Sequence, residues 1–542
     1  MKFNLVDDPW IDVRTADDEP ATVSLREFFR RADDLTRIAG DLPTQDFAVL
    51  RIALAVFYRV LWLRDETYDD IDIAELWNAD SLPLDEIDHY LDTWRHRFEL
   101  FDDKQPFMQV PDLATASGKT SGLTALVAGS PGEGALFTMQ QHIESLSPAE
   151  AARWLIHCHA FDISGIKPGA VGDARAKGGK GYPIGIGWCG WLGGLTIEGR
   201  TIRETLIHNF APPENETPDD RPIWEHEPLT PAVREGVEPE GPIGLFTWPI
   251  RRIRLHTNNN AVSDVLISNG DPVPYWRQRT SEPMSGWRFS EPQTKKRGSP
   301  IYMAREHDPA RLLWRSLSTI LPDGGRGDKT KDGDPQLLPS SSLDALANRS
   351  VFQTISGYAV NLRATGIQYG AQNSVYAELF SDGLTFHPTL ARPDSPTRQY
   401  VEDALTRADN VARALGSLGG DIALASGGDL EPARSIAREQ AYTIMGQLFR
   451  VWLPSVTDDN AEERLVVWTE VIRTQISNAA SQLVENATPS ALAVREVKGR
   501  TVSAGSASLW FLKNLHDALG DTAIDPDQLD QLDPQPPQKE AR

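Results

Sequence analysis

The chain has 542 residues, 40% of them hydrophobic and with 15 Trp spread along its length, enough for two to four compact units at roughly 100 to 200 residues each. Only Cys158 and Cys189 occur, which excludes a disulfide framework and a CxxC zinc knuckle, and no apolar run approaches the roughly 18 residues that cross a bilayer. With 54 basic and 77 acidic residues the net charge is −23, so the molecule as a whole repels nucleic acid, and any such contact must rest on local loops or on partners that neutralise phosphate.

The N-terminus, Met1 to Trp10, carries Asp7 and Asp8 where a signal peptide has its apolar stretch, so a cytoplasmic protein is expected, with no membrane anchor. An extended segment over residues 3–13 leads to a helix over about 44–63, where Phe47, Leu50, Leu54, Phe57 and Leu61 recur at the period of one buried face. A second helix is predicted over 84–100. From 129 to 386 dense Gly, Pro and Asn punctuation separates short strands such as 195–197 and 250–255, the pattern of a loop-rich α/β body. Two polar stretches within it, 212–242 and 323–339, read as surface excursions or partly disordered segments.

After Pro393 the character changes to four helical segments at about 396–418, 431–453, 460–486 and 489–519. Leu465, Trp468, Ile472, Ile476, Ala479 and Leu483 form a bundle seam, repeated by Ala437, Ala441, Ile444, Leu448 and Trp452. The expected class is α+β: a large mixed α/β N-terminal domain over 1–393, a C-terminal four-helix bundle over 394–520 and a solvated, proline-rich tail over 521–542.

Several motifs carry no chemistry in context. Gly185-Ile186-Gly187-Trp188-Cys189-Gly190 has dinucleotide-binding spacing, but a glycine-broken β-like run comes next instead of a helix. His157-Cys158-His159 offers metal-ligand types without a second cluster and reads as core, so no metal and no cofactor is expected. Gly118-Lys119-Thr120 lacks the first glycine of a phosphate loop, and no GxSxG or HExxH motif names a catalytic residue.

The strongest anomaly is residues 164–181, where glycines alternate with Lys167, Arg175, Lys177 and Lys180. Such a loop lets backbone enter a narrow groove beside phosphate partners, although composition alone favours a mobile surface loop. A second candidate, 365–374, displays Gln372 and Asn373 on a turn that either wedges into a base stack or is a plain hairpin tip. Lys295-Lys296-Arg297 is the chain's run of three cations, a phosphate contact or a solvated turn.

The opening Phe3 to Val13 resembles the NLL-x-D-x-WIPV start of the CasA family, the large subunits of the type I-E CRISPR surveillance complex Cascade. Pro106-Phe107-Met108-Gln109 resembles that family's PFMQ element, and the glycine-basic loop and closing bundle come in the same order over residues 3–519. The resemblance implies a non-catalytic subunit beside the 5′ handle of the guide CRISPR RNA. It implies other Cascade subunits, double-stranded target DNA and a helicase-nuclease effector as partners, and recognition of the protospacer-adjacent motif before R-loop formation. By position it assigns motif reading to Gly169, Ala170, Val171 and Gly172 with Lys177 and Lys180, a lysine role to Lys295 or Lys296, and the strand-separating wedge to Gln372 or Asn373. Phe137 and Met139 fall in a loop directed toward the RNA handle and motif. The cysteine-rich zinc-like element of some relatives has no counterpart around Asn258-Asn259-Asn260. A nucleotide-binding enzyme and a purely structural scaffold are the rival readings.

Overall fold

A computed structural model describes residues 1–68, 71–129, 143–355, 357–497 and 499–520 of the protein. It forms two compact units. The first takes Met1–Leu313, Thr319–Ile355 and Val360–Gly383, and the second is built mainly from the chain after Leu384 with Trp314–Ser318 added. The class is α+β, as the sequence suggests: small antiparallel sheets and mostly short helices around one long one in the first unit, long helices in the second.

The first unit is organised around the helix Pro43–Asp65, whose residues from Phe47 to Leu61 are all buried. The periodicity predicts one buried face, but Ala48, Val49, Ile52, Ala53, Val56 and Val60 make the remaining faces apolar too, so the helix runs through the core. Its two buried cations are neutralised in place. Arg51 makes a bidentate pair with Glu282 at 2.9 and 2.8 Å, and Arg59 pairs with Glu225 at 2.7 Å. Around this helix lie a sheet with Ile11–Thr15 between Pro20–Val23 and Leu35–Ile38, and the long hairpin Arg251–Asn258 with Ala261–Asn269. That hairpin reverses at Asn259 and Asn260, both at positive φ, a conformation asparagine tolerates well.

The stretch 212–242 is not the solvated excursion its composition predicts. Trp224 is buried against Phe98 and Phe107, and Glu225 receives Arg59 and Tyr90, so two side chains missed among prolines and acids anchor the segment.

In the second unit Pro396–Ser426 packs against Leu430–Trp452, Ala461–Glu485 and Ala504–Leu519 around Met445, Phe449, Trp468 and Ile472. Trp314 stacks 5.3 Å from Phe449 and lies where a Cβ on Gly446 would come within 2.7 Å of its Nε1, so glycine is required there. The fourth helix starts fifteen residues later than its predicted 489. Between the single turn Pro489–Leu492 and Ser503 the strands Arg495–Val497 and Arg500–Val502 pair antiparallel, with Gly499 at φ +76°. β-Branched Val497, Thr501 and Val502 favour the extended form, and Ser503 then caps the helix. The expected tail, 521–542, lies outside the described residues.

Candidate nucleic-acid interface

The helix Pro148–Phe161 begins with a capping box, Ser147 accepting from the Glu150 amide while Glu150 accepts from that of Ser147, and ends at Asp162. Asp162 is the anchor of the glycine-basic segment. Its Oδ2 receives Arg251 Nε and Lys167 Nζ, each at 2.6 Å, while Arg251 Nη2 donates to the carbonyls of Ile163 and Gly185. Burial alone pushes the Asp162 carboxyl up, but Arg251 and Lys167 outweigh it and hold the group below the usual carboxylate range. One buried charge cluster thereby ties down both ends of the segment.

The segment itself is a folded ribbon. Lys167–Pro168 pairs antiparallel with Lys180–Gly181, and Lys177 and Lys180 exchange both backbone hydrogen bonds across Gly178 and Gly179. Those two glycines have φ of +58° and +73°, the pair of left-handed residues a two-residue hairpin turn needs. Gly169 and Ala170 are buried, and a Cβ on Gly169 would lie 2.9 Å from that of Ala176 and 3.0 Å from the Gly179 carbonyl carbon. Val171 and Gly172 face solvent, the latter at φ +99°, and Val171 N–H donates to Ala114 O at 2.8 Å. Lys177 and Lys180 are exposed, and no acid lies within ion-pair reach of either among the described residues.

The second candidate is the tip of the hairpin made by Val360–Tyr369 and Tyr376–Phe386, which sits beside Gly194–Glu198. Gln372 and Asn373 both adopt positive φ, 56° and 55°, projecting an exposed Gln372 side chain and a half-buried Asn373. The Asn373 carbonyl accepts the Ser164 N–H at 2.8 Å. Tyr369 also donates to Phe161 O at 2.6 Å, so the turn is fixed to the start of the glycine ribbon at two points.

Lys295 and Lys296 lie on the helix Glu291–Arg297, stopped by Gly298 at φ +76°. Lys295 pairs with Glu291 at 2.7 Å, Arg297 lies 4.1 Å from the ring centre of Trp276, and Lys296 is exposed. No hydrogen bond joins this helix to either loop among the described residues. Phe137 and Met139 lie outside the described residues.

The motifs set aside in the sequence are packing devices. A Cβ on Gly187 would overlap the Ala160 carbonyl, and one on Gly190 would come within 2.5 Å of Tyr369 Oη. His157 Nε2 meets Thr44 Oγ1 at 3.0 Å and His159 Nε2 meets Met108 O at 3.0 Å; burial lowers their pKa values to about 3 and about 4, so both rings are neutral. Gln109 of the PFMQ element holds Leu100 O and Leu255 N–H, a structural role. No cluster of three metal-ligating side chains occurs among the described residues. Asp162, Arg251 and Ser164 were invisible as a unit in the sequence because 89 residues separate the first two.

A core-threading helix within small sheets, two surface loops bonded to each other and a separate helical unit define a particular two-unit α+β architecture. The family model for CRISPR-associated protein Cse1 matches residues 4–479, and the chain belongs to that family. It is 27% identical over 437 residues to the CRISPR-associated protein CasA/Cse1 of Thermus thermophilus, covering 79% of each chain. The crystal structure of Thermobifida fusca Cse1 superposes with a TM-score of 0.85 at 36% identity, covering 96% of this chain and 98% of that one. A chain of a structure described as a CRISPR RNA-guided surveillance complex gives 0.60 at 19% identity over 95% of this chain and 99% of that one, a likeness of fold.

Proposed function

We propose that this chain is the large, non-catalytic subunit of a type I-E CRISPR RNA-guided surveillance complex in the cytoplasm, where it reads the protospacer-adjacent motif of duplex DNA and starts strand separation. The observation that carries the reading is the Ser164–Asn373 hydrogen bond. A loop that reads a short duplex tag and a turn that parts the next base pairs must act at a fixed spacing, and this bond sets one.

Gly172 presents bare backbone to the minor groove, with the exposed Val171 side chain beside it; the groove is about 6 Å wide and shows a degenerate pattern of acceptors. Gly169 and Ala170 hold the ribbon from within, Lys177 and Lys180 take phosphates, and Lys296 or Lys295 adds a further cationic contact. Gln372, with Asn373 beneath it, is inserted at the first base pair beyond the motif. Sequence is then read by pairing with the guide RNA, the division of labour known for another RNA-guided effector. Other Cascade subunits, the 5′ handle of the RNA and a recruited helicase-nuclease are the partners, and no covalent step falls to this chain. The R-loop forms from the parted base pairs onward.

Permanganate reactivity of thymines placed just beyond the motif tests this in the assembled complex. Gln372→Ala with Asn373→Ala is expected to lower that reactivity while leaving motif-dependent binding in place. Unchanged reactivity, with unchanged binding in Gly172→Val, would leave only the scaffold reading.

A further inference from the structure

The ribbon that carries Gly169 and Gly172 also has an outer face, and its composition is unlike the rest of this acidic chain. Side chains alternate between faces along a strand, so Ile166 and Pro168 share one face, as do Lys180 and Tyr182. Pro168 pairs with Lys180, and extending that register by one residue on either side of Lys167–Gly181 sets Ile166 opposite Tyr182. Lys177, paired directly with Lys180 across the tight turn, joins the same face. Burial confirms the alternation: Lys167 turns inward to Asp162 and Gly181 is buried, while Ile166, Pro168, Lys180 and Tyr182 are all exposed. Ile166 is 59% and Tyr182 56% exposed, large values for apolar and aromatic side chains on a segment so firmly bonded beneath. Asn269 Nδ2 donates to the carbonyls of Gly181 and Tyr182, at 3.2 and 2.7 Å, so the Tyr182 backbone is fixed while its ring has no partner among the described residues.

We infer that Tyr182 is a stacking platform for the first unpaired base of the opened target, with Ile166 against its sugar and Lys177 and Lys180 on the flanking phosphates. The inference rests on the function proposed above and names a further binding residue within it. An aromatic ring on one face with two unpaired lysines is an arrangement that binds single-stranded nucleic acid, since any base offers a π-face once it leaves the helix. Bases inside a duplex offer none. The platform stands where unpairing would begin, because Ser164, two residues before Ile166, is the residue bonded to the wedge turn. A base caught there cannot re-pair, which makes each opening event last longer. Charge selects nucleic acid over an apolar protein surface: the charged side chains on this face, Lys177 and Lys180, are both basic and exposed, whereas Lys167 and Arg175 are paired with Asp162 and Asp173.

The test uses the assembled complex and a matched duplex with 2-aminopurine at the first positions beyond the motif on either strand. Stacking on Tyr182 is expected to quench the fluorescence of the released base on one strand. Tyr182→Phe keeps the quench; Tyr182→Ala loses it and slows opening roughly tenfold, within the range of one base–aromatic stack. Discrimination between motifs is unchanged in both. On a target already mismatched at these positions the Ala variant should still lose the quench, although opening is no longer needed. If Tyr182→Ala leaves quench and opening unchanged while the Gln372 and Asn373 variants abolish opening, the platform is wrong and the motif-reading function stands. If the wild-type complex shows no motif-dependent opening, the function itself fails. If Tyr182→Ala instead releases the chain from the complex, this face is a protein contact and the inference is overturned.

Discussion

Gly169 and Gly172 are glycines for different reasons. At Gly169 the space is occupied, and an added Cβ would push on the Gly179–Lys180 peptide, whereas at Gly172 it would meet Pro231 Cβ at an ordinary contact distance of 3.7 Å and the φ of +99° is what a side chain disfavours. Gly169→Ala should therefore displace the ribbon and cost about 1–3 kcal/mol in chemical denaturation, the range for overpacking, while Gly172→Ala should cost about 1 kcal/mol. Both should weaken motif discrimination. Asp162 sets the pH response of the same ribbon. Its folded pKa lies below the usual carboxylate value of about 3.9, so its stabilisation is complete above that value and is lost as pH falls through the folded one. Asp162→Asn strands Arg251 and Lys167 and should cost about 3–5 kcal/mol at pH 7. Urea midpoints of the variant and the wild type should converge below about pH 3.9, and a gap that stays constant would contradict this role.

At the scale of elements, the helix Pro43–Asp65 tests how the core is wired. Asp46, in its first turn, is raised to about 6, by burial first, with the Gly40 N–H and Arg363 opposing and Glu198 adding. An acid whose folded pKa is raised makes the protein lose stability as pH climbs from about 3.9 through 6, because the native state then holds the extra proton. Asp46→Asn keeps an acceptor for Gly40 and should raise the melting temperature at pH 7.5 more than at pH 4.5. The seam of Ala461–Glu485 was legible because Trp468, Ile472 and Ile476 repeat at a strict helical period, whereas in Leu430–Trp452 Met445 and Phe449 are buried and the expected Ile444 and Leu448, one position round the helix, are only half-buried. The hairpin Arg495–Val502 was not, because a short β excursion inside a helical run offers only Val, Thr and one glycine against strong neighbours. The depth of the 43–65 helix was hidden because Arg51 and Arg59 mimic a polar face until Glu282 and Glu225, far along the chain, are placed beside them.

For the whole molecule the net charge of −23 sets the limits of contact with DNA. On the proposed reading few phosphates are neutralised, so the isolated chain should hold random duplex weakly, and substituting both Lys177 and Lys180 with Ala should reduce the salt slope of log K for the complex by about 2. The candidate loops were legible as unusual composition against an acidic background. Their adjacency was not, since Ser164 and Asn373 meet only after the chain has folded, and Tyr182 carries no motif at all. The most direct measurement is binding of the assembled RNA-guided complex, with and without this chain, to duplexes that differ only in the few base pairs flanking a matched target. Discrimination that appears only with the chain, and is lost when Gly172 becomes Val, is the predicted result. Equal affinity and equal discrimination with the chain left out would contradict motif reading and leave a scaffold.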